Sequence, residues 1–297
     1  MGNPMDWLAP IIDIAERNNQ PEPEDFVDAE GFLVCGKCKT RRQTEITLPD
    51  FDGQSAPVKK LVMTPCECRS KALALERERQ RQKDEQQRIE ALRRQSLLKG
   101  KLAGHTFDCF EVTDENRDNA RLIKRYVKNF DKMLEENQGL LFYGDCSTGK
   151  TFSAACIANY LVDHGTSVIM TSFVDILALF QKDQFAAEEL IDRMNRVKLL
   201  IIDDLGAERD TSYALEKVYG IIDARGRSKR PLILTTNLSL DEMLNEQDRR
   251  FKRIYERVFE LCYPVEFAGE SWRQKSASQR YDQMKKLLEG DDGENFN

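Results

Sequence analysis

Three groups of residues in this sequence have the types and spacing that chemistry requires. The first ends in Lys150 and Thr151 and follows the pattern G-x4-G-K-T. At this spacing, backbone N–H groups can surround the phosphates of a nucleotide, with the lysine at the β- and γ-phosphates and the threonine hydroxyl on Mg²⁺. The candidate phosphate-binding residues are Gly144, Asp145, Cys146, Ser147, Thr148, Gly149, Lys150 and Thr151.

The residues around this loop favour a phosphate site over a chance Gly-Lys-Thr turn. The apolar run 140–143 precedes the loop and is typical of a buried strand. The stretch 152–161 follows it and has the alanines and apolar spacing of a helix, so the phosphates would lie at a helix N-terminus.

The second group consists of polar residues at the ends of two apolar stretches. Asp203 and Asp204 follow four apolar residues, 199–202, and Asn237 follows the run 231–236. On a buried strand near the loop, Asp203 would hold Mg²⁺ through its water shell and Asp204 could orient or deprotonate the attacking water. Asn237 could position the same water or belong to an ordinary turn.

The third group is a set of close cysteine pairs, C-G-K-C and C-E-C, separated by 27 residues. Four thiolates can form a closed tetrahedral site for structural Zn²⁺, and no histidine lies nearby to suggest catalysis. The stretch from Thr40 to Met63 suits a small β-ribbon between the pairs. Unrelated buried or redox thiols remain the alternative for Cys35, Cys38, Cys66 and Cys68.

Composition limits the class of protein. The chain has 297 residues, of which 40% are hydrophobic and 32% charged, and its net charge is −6. No apolar run approaches the roughly 18 residues of a membrane span, and the N-terminus lacks a signal-peptide pattern. We therefore expect a soluble cytoplasmic protein, in which eight cysteines do not suggest a disulfide framework. Residues 1–34 are acidic and 69–101 basic, so local contact with nucleic acid is not excluded.

The sequence around these groups predicts that the chain divides into four segments. Residues 1–20 could form a short amphipathic helix, packed on its own domain or on a partner. The stretch from Arg69 to about Leu98 lacks Gly and Pro and predicts a long helix ended by Gly100. It could be a solvated connector or touch nucleic-acid phosphates. The segments are a partner-binding module with the zinc site at 1–68, a basic helical connector at 69–100, an ATPase domain at 101–282 and an acidic tail at 283–297.

The ATPase segment alternates apolar strands with helices, which predicts an α/β fold with a parallel, doubly wound sheet and the nucleotide at the strand C-termini. Predicted elements are a helix from Asn116 to Glu135, a strand at 167–170, a helix from about 173 to 180 and strands at 198–204 and 231–237. A further helix begins near Asp248 and carries four arginines, which could serve a neighbour's γ-phosphate or simply be solvated: Arg249, Arg250, Arg253 and Arg257.

Residues 101–282 resemble the AAA+ ATPases of the bacterial DnaC/DnaI helicase-loader group and their IstB-type transposition relatives. The resemblance rests on GDCSTGKT, LLIIDDLGAERDTSYALEKVYGIIDAR, PLILTTNLSLDEM and RRFKRIYERV taken together. It implies that Asn237 is the sensor-1 residue, Arg257 the arginine finger and Arg273 the sensor-2 arginine, with Arg253 as the competing finger. The cysteine-containing region resembles, more weakly, the zinc-bearing helicase-binding regions of some loaders.

The sequence departs from the AAA+ pattern in two places. Many of these ATPases have Glu where this chain has Asp204, which puts its role as catalytic base in doubt and makes Glu208 a possible substitute. No clear helical lid domain follows Arg257.

The resemblance implies an ATP-dependent loader of the replicative helicase that binds ATP, Mg²⁺, Zn²⁺ and single-stranded DNA and self-assembles with ATP. The alternatives are a transposition helper ATPase and a nucleotide-gated DNA adaptor with little turnover. A small-molecule kinase is disfavoured, because no substrate-binding pattern accompanies the loop.

Overall fold

The computed structural model of this protein describes residues 20–48, 58–98, 100–207 and 211–288. The chain divides into two compact units, residues 1–85 and residues 86–297. The boundary falls within a long helix, α1 (Glu67–Gln95). The helix predicted over residues 1–20 lies outside the described residues, apart from Gln20.

The first unit is built from two short antiparallel ribbons. Strand β1 (Phe26–Val27) pairs with β2 (Leu33–Val34), and β3 (Gln43–Leu48) pairs with β4 (Val58–Met63). The β-ribbon predicted between the cysteine pairs is therefore confirmed. Within its described residues, the unit buries three apolar side chains, those of Val34, Cys35 and Cys66. So small an apolar core does not stabilise a fold by itself.

A buried ion pair occupies much of this unit's interior. The side chains of Arg42 and Asp25 are 1% and 2% exposed and bond to each other. Burial alone would raise the pKa of Asp25, but hydrogen bonds from the Glu22 and Gly36 amides and from Arg42 outweigh it, and the net pKa is lowered. Arg42 also donates to the carbonyl of Gln20 at 2.9 Å. Charges this deeply buried are tolerated because each has a partner.

The second unit contains a five-stranded sheet in the order β6-β7-β8-β5-β9, with every pairing parallel. Its strands are β5 (Gly139–Tyr143), β6 (Val168–Ser172), β7 (Leu199–Leu205), β8 (Leu232–Thr236) and β9 (Cys262–Glu266). The predicted parallel α/β sheet is confirmed. The order also places β8 between the strand that enters the glycine-rich loop and the strand that carries the two acids.

Helices cover both faces of this sheet. They are α2 (Arg117–Lys128), α3 (Phe130–Glu135), α4 (Lys150–Asp163), α5 (Phe173–Lys182), α6 (Gln184–Arg196), α7 (Ser212–Arg227), α8 (Leu240–Leu244), α9 (Arg249–Leu261) and α10 (Trp272–Leu288). Along β5, Leu140 and Phe142 join one core cluster while Leu141 joins the other. Both faces are buried, as expected for a parallel sheet. Among the described helices, none has the length and apolar composition that crossing a membrane requires.

Two sequence predictions about helices were wrong in detail. The single helix predicted from Asn116 to Glu135 is two helices, because the Asn129 side chain donates to the Arg125 carbonyl at 2.8 Å and ends α2. The helix predicted to reach Leu98 ends at Gln95. There Ser96 leaves the helix, and its carbonyl accepts from the Met170 amide of β6 at 2.9 Å.

Candidate nucleotide site and cysteine cluster

The glycine-rich loop joins β5 to α4 in a conformation that its sequence makes possible. Gly144 and Gly149 have φ of +121° and +101°, and Ser147 between them has +66°. A Cβ on Gly144 would lie 2.5 Å from the carbonyl oxygen of Phe267, so both space and backbone angle require glycine there. The loop ends at the first turn of α4, whose amide groups point toward the loop.

Lys150 is held inside the loop. Its Nζ donates to the carbonyls of Gly144 at 2.7 Å and Asp145 at 2.5 Å, and its side chain is buried. Burial lowers the pKa of Lys150, while the nearby charges, among them Asp203 and Asp204, oppose that shift. The ammonium group therefore lies against two carbonyls of the loop, where phosphate oxygens would find a cation.

The loop and the acidic strand meet at Asp203. Thr151 Oγ1 donates to Asp203 Oδ1 at 2.9 Å, and Thr235 Oγ1 of β8 donates to the same oxygen at 2.5 Å. Burial raises the pKa of Asp203 and the charge of Asp204 adds to the rise, whereas these hydrogen bonds and Lys150 lower it. A hydroxyl and a carboxylate side by side are the donor set that Mg²⁺ takes from proteins that bind nucleotides. Sequence reasoning missed Thr235.

Asp204 lies on a backbone irregularity next to this pair. Its φ is +57°, and the register between β7 and β8 shifts between Ile202 and Leu205. The Asp204 amide donates to Thr235 Oγ1 at 2.9 Å. Such a bulge re-aims a side chain, at a cost of roughly 1–2 kcal/mol for a non-glycine residue in this region. As a result, Asp203 and Asp204 both line one cavity of about 600 Å³.

Asn237 follows β8 directly and is exposed. It lies two residues from Thr235, at the carboxyl edge of the sheet. Its side chain forms no hydrogen bond with another side chain in the described part of the protein. Glu208, the predicted substitute base, lies outside the described residues.

The family model described as IstB-like ATP binding protein matches residues 69–280. The chain belongs to this family. It is 29% identical over 206 residues to the replicative helicase loader DnaI of Bacillus subtilis (strain 168), covering 64% of this chain and 65% of that protein. It is 33% identical over 144 residues to the replicative helicase loader DnaC of Escherichia coli (strain K12), covering 46% of this chain and 57% of that protein. The chain thus spans less than two thirds of the length of each of these two relatives.

A crystal structure of DnaI matches 59% of this chain and 94% of that chain, with a TM-score of 0.50 and 24% identity. At that identity the likeness concerns the fold. The predicted resemblance to the AAA+ ATPases of the DnaC/DnaI group is confirmed, and the loop and the acidic strand lie within the residues that the IstB-like family model matches.

A second cavity of this IstB-like protein lies against the loop. It has a volume of about 230 Å³, and its lining includes the rings of Phe110, Phe152 and Trp272 beside Thr148 and Gly149. The Trp272 amide donates to the Ser147 carbonyl at 2.9 Å, which ties the start of α10 to the loop. Its walls are largely apolar, as in small-ligand sites, but its volume lies below their usual range of roughly 300–1,000 Å³. Sequence reasoning assigned no role to Trp272.

Arg273, the residue after Trp272, is exposed on the first turn of α10. The predicted sensor-2 arginine thus lies one residue from the loop contact.

Arg257 lies far from the loop of its own chain. Its guanidinium pairs with Asp223 at 3.3 Å and with Glu260, and it packs against Gly226. The adjacent Arg225 donates to the carbonyls of Lys198 and Pro231, at the amino ends of β7 and β8. The phosphate loop is at the carboxyl end of β5, roughly 17 Å of strand away. Arg257 therefore cannot reach the nucleotide site of its own chain.

Arg253, the competing finger, is one turn earlier on α9 and is exposed. Its guanidinium lies 4.6 Å from the centroid of the Tyr219 ring. Arg253 and Arg257 share a helix face, as their spacing predicts.

The four predicted cysteines come together in the first unit. One ligand atom from each of Cys35, Cys38, Cys66 and Cys68 lies within 4.8 Å of the others. The first pair occupies a tight turn in which a Cβ on Gly36 would lie 2.1 Å from the Glu24 carbonyl oxygen, and the second pair is at the start of α1. The Sγ atoms of Cys66 and Cys68 are 3.3 Å apart.

The chemistry of this cysteine cluster fits a divalent cation. A hydrogen bond with Thr40 lowers the pKa of the Cys38 thiol to about 5, which favours the thiolate form that binds metal. Side-chain hydrogen bonds with Cys66 and Cys38, followed by burial, raise the pKa of Cys68 to about 12, so this sulfur retains its proton when no cation is bound. Four sulfur ligands match a closed structural zinc site.

Proposed function

We propose that this protein is an ATP-dependent loader of the replicative DNA helicase, binding ATP and single-stranded DNA in the cytoplasm during replication initiation. The observation that carries the ATP part is the hydrogen bond between Thr151 and Asp203, which joins the phosphate loop to the acidic strand. Support for the loader part comes from the relatives, which are named replicative helicase loaders.

Hydrolysis of ATP at this site needs little beyond positioning and charge. Lys150 would bind the β- and γ-phosphate oxygens, and Thr151 and Asp203 would hold Mg²⁺, which neutralises charge on the phosphates when bound. Asp204 would orient the attacking water, since its bulge sends it into the same cavity as Asp203. Asn237 would fix that water from the neighbouring strand, and Arg273 would contact the phosphates from α10.

The aromatic cavity beside the loop would take the base of ATP. Phe110 and Phe152, with ring centroids 5.6 Å apart, and Trp272 offer flat apolar surface next to Gly149. An ion pair between Lys275 of α10 and Glu111, 3.7 Å long, spans the segments that carry these rings. A bound base would hold α10 against the loop, which links ATP binding to the position of Arg273.

The position of Arg257 supports assembly of several copies. An arginine that cannot serve its own nucleotide can complete a neighbour's, with Arg253 as the competing residue. ATP would then favour a homo-oligomer, and loss of the γ-phosphate would weaken it. To take this role, Arg257 would have to break its ion pairs with Asp223 and Glu260.

The cysteine-bearing unit would be the helicase-binding module. Zn²⁺ held by Cys35, Cys38, Cys66 and Cys68 would supply the folding free energy that its small core lacks. Its surface offers a partner the exposed apolar side chains of Phe26 and Val27, which are 45% and 63% exposed.

The test is copurification of the replicative helicase encoded in the same genome with the full chain, with ATP, without ATP and with Lys150→Ala. We expect capture that depends on nucleotide and that Cys35→Ser abolishes, whereas Cys262→Ser, which lies in the other unit and keeps a donor for the Leu232 carbonyl, retains it. Capture of a transposase in place of the helicase would favour the transposition helper. An ATPase rate no higher than that of Lys150→Ala, with single-stranded DNA present, would favour a DNA adaptor with little turnover.

A further inference from the structure

A cavity of about 390 Å³ opens on the ATP-binding unit, away from the residues assigned to the nucleotide. It lies between α2, the end of α4 and the short 3-10 turn Phe107–Cys109. We call it the α2–α4 pocket. Its lining includes three aromatic rings and two lysines: Phe107, Tyr160, His164, Lys124 and Lys128.

The aromatic side of the α2–α4 pocket is ordered by its own contacts. The rings of Tyr160 and His164 stack with centroids 4.0 Å apart and an angle of 23°. The edge of Phe107 packs against Tyr160 at 5.7 Å. His164 Nδ1 donates to the Tyr160 carbonyl at 2.7 Å, since a carbonyl can only accept. The exposed imidazole is thereby fixed in orientation and presents a flat surface to a ligand.

The other side of the pocket carries positive charge. Lys124 and Lys128 are exposed on α2, one turn apart, about 5–6 Å between Cβ atoms. Neither forms an ion pair with any residue in the described parts of the chain. Earlier on the same helix, by contrast, Arg117 and Arg121 are paired with Asp114 and Asp118. Within the described residues, Lys124, Arg125 and Lys128 are the α2 cations without an ion pair, and the two lysines line the pocket.

Two acids also belong to the lining, and they do not cancel this charge. Asp163 forms an ion pair with Arg93, which further contacts Asn159 at 3.4 Å. Asp108 is exposed on the 3-10 turn. Counting Arg93, three cations face two carboxylates around the pocket.

Aromatic faces beside cations are what a single nucleic-acid strand requires, because its bases are free to stack and its phosphates need neutralising. Two lysines one turn apart can meet two successive phosphates, whereas a mononucleotide with one phosphate would engage one of them. A duplex keeps its bases stacked inside and would leave the aromatic side unused.

We propose that the α2–α4 pocket binds single-stranded DNA, with a base against His164 and Tyr160 and successive phosphates on Lys124 and Lys128. The choice of DNA as the strand rests on the proposed function. The assignment of this pocket as a binding site for a single strand rests on the geometry of its rings and lysines.

The experiment measures binding of a fluorescent oligothymidine to the full chain by anisotropy over a series of salt concentrations. Wild type is compared with Lys124→Gln/Lys128→Gln and with a control of equal charge change, Lys198→Gln/Lys229→Gln, whose lysines are exposed on other elements. The slope of log affinity against log salt should fall by about 1.4 in the pocket variant, two contacts of about 0.7 each. The control should keep the wild-type slope.

His164→Ala separates stacking from charge. We expect it to weaken binding about tenfold while leaving the salt slope unchanged. ATP binding and thermal unfolding of each variant, measured in parallel, should match wild type, because none of these side chains is in the nucleotide site.

Four results would overturn the assignment. If wild type binds DNA and the pocket and control variants have equal salt slopes, the strand binds elsewhere on the protein and the proposed function is unaffected. Unchanged affinity in His164→Ala would show that no base stacks on His164. Competition by thymidine monophosphate as strong per nucleotide as competition by the oligothymidine would show that the pocket binds a mononucleotide and not a strand. Absence of DNA binding by wild type at every salt concentration would remove the DNA part of the proposed function as well, while helicase capture would remain a separate result.

Discussion

Thr235 and Asp203 lie side by side on neighbouring strands, and the Thr235 hydroxyl donates to Asp203 Oδ1 at 2.5 Å while accepting from the Asp204 amide at 2.9 Å. One buried hydroxyl thus positions both acids of the site. The contact exists because β8 separates β7 from β5, so that a residue of the central strand faces the end of the acidic strand.

Thr235→Val should therefore lower Mg²⁺-dependent ATP hydrolysis by about 10- to 100-fold, the range for residues that orient a metal ligand. Valine has the shape of threonine but leaves the Asp204 amide without its acceptor, which should also cost about 1–3 kcal/mol of stability. Rates measured against Mg²⁺ concentration, with denaturant unfolding, test this. Thr235→Ser keeps the hydroxyl and should behave nearly as wild type. Equal loss in both variants would argue against the hydroxyl.

Arg257→Ala should bind ATP normally yet lose hydrolysis by about 10³-fold, because an arginine finger acts only on the transferring phosphate. Arg257 lies at the opposite edge of the sheet from its own loop, so its activity should be restored in trans. Mixing Arg257→Ala with Asp204→Asn subunits, each inactive alone, should recover turnover.

Arg253→Ala is the matched variant on the same helix face, and it should keep most of the activity. A larger loss in Arg253→Ala, or no recovery on mixing, would transfer the finger role to Arg253 or remove it from this helix.

Trp272 should report ATP binding by fluorescence. The chain has two tryptophans, so Trp7→Phe leaves Trp272 as the sole emitter. A base packed beside Gly149 should change its emission, and Phe110→Ala should weaken ATP binding by about 2- to 10-fold through lost ring packing. Phe185→Ala, a phenylalanine that is 78% exposed, is the control and should leave affinity unchanged. No spectral change on saturation with ATP would place the base elsewhere.

The cysteine cluster should hold one zinc ion per chain, measurable by elemental analysis of the purified protein. Removing the zinc ion with a chelator should make residues 20–48 and 58–85 sensitive to protease, because the metal supplies folding free energy to this unit. ATP binding by the second unit should persist, since that unit has its own core. Cys35→Ser should abolish zinc binding and Cys109→Ser should not. Full protease resistance without metal would contradict a structural zinc site.

Arg225 should be among the most sensitive positions for stability. It is fully buried and donates to four backbone carbonyls, those of Met194, Val197, Lys198 and Pro231. Arg225→Met would leave these acceptors unpaired at about 1–3 kcal/mol each before relaxation, so we expect a loss above about 3 kcal/mol in denaturant unfolding.

Arg227, two residues later, makes an exposed pair with Asp223. Arg227→Met should cost less than about 1 kcal/mol, as surface ion pairs do. Similar losses in the two variants would show that the carbonyl contacts of Arg225 contribute little.

The sequence by itself determined the local chemistry of this protein. A strand, a glycine-rich loop and a helix that follow one another in the chain must place Lys150 and Thr151 together, because the geometry is set by neighbouring residues. The apolar run before Asp203 likewise fixed a buried strand with acids at its end. The two close cysteine pairs likewise placed two sulfur ligands together within each pair, because each pair lies within a few residues of chain.

Tertiary structure alone decided what depends on the order of strands and the packing of helices. Thr235 touches Asp203 because β8 is inserted between strands that are far apart in sequence, and Trp272 reaches the loop because α10 returns to it. The helix predicted to reach Leu98 ended at Gln95, where Ser96 binds the edge strand. The same packing placed Lys124 and Lys128 beside Tyr160 and His164, and it separated Arg257 from its own nucleotide site. Periodicity records which face of an element is buried, not which element covers it, so none of these contacts could be read from the chain.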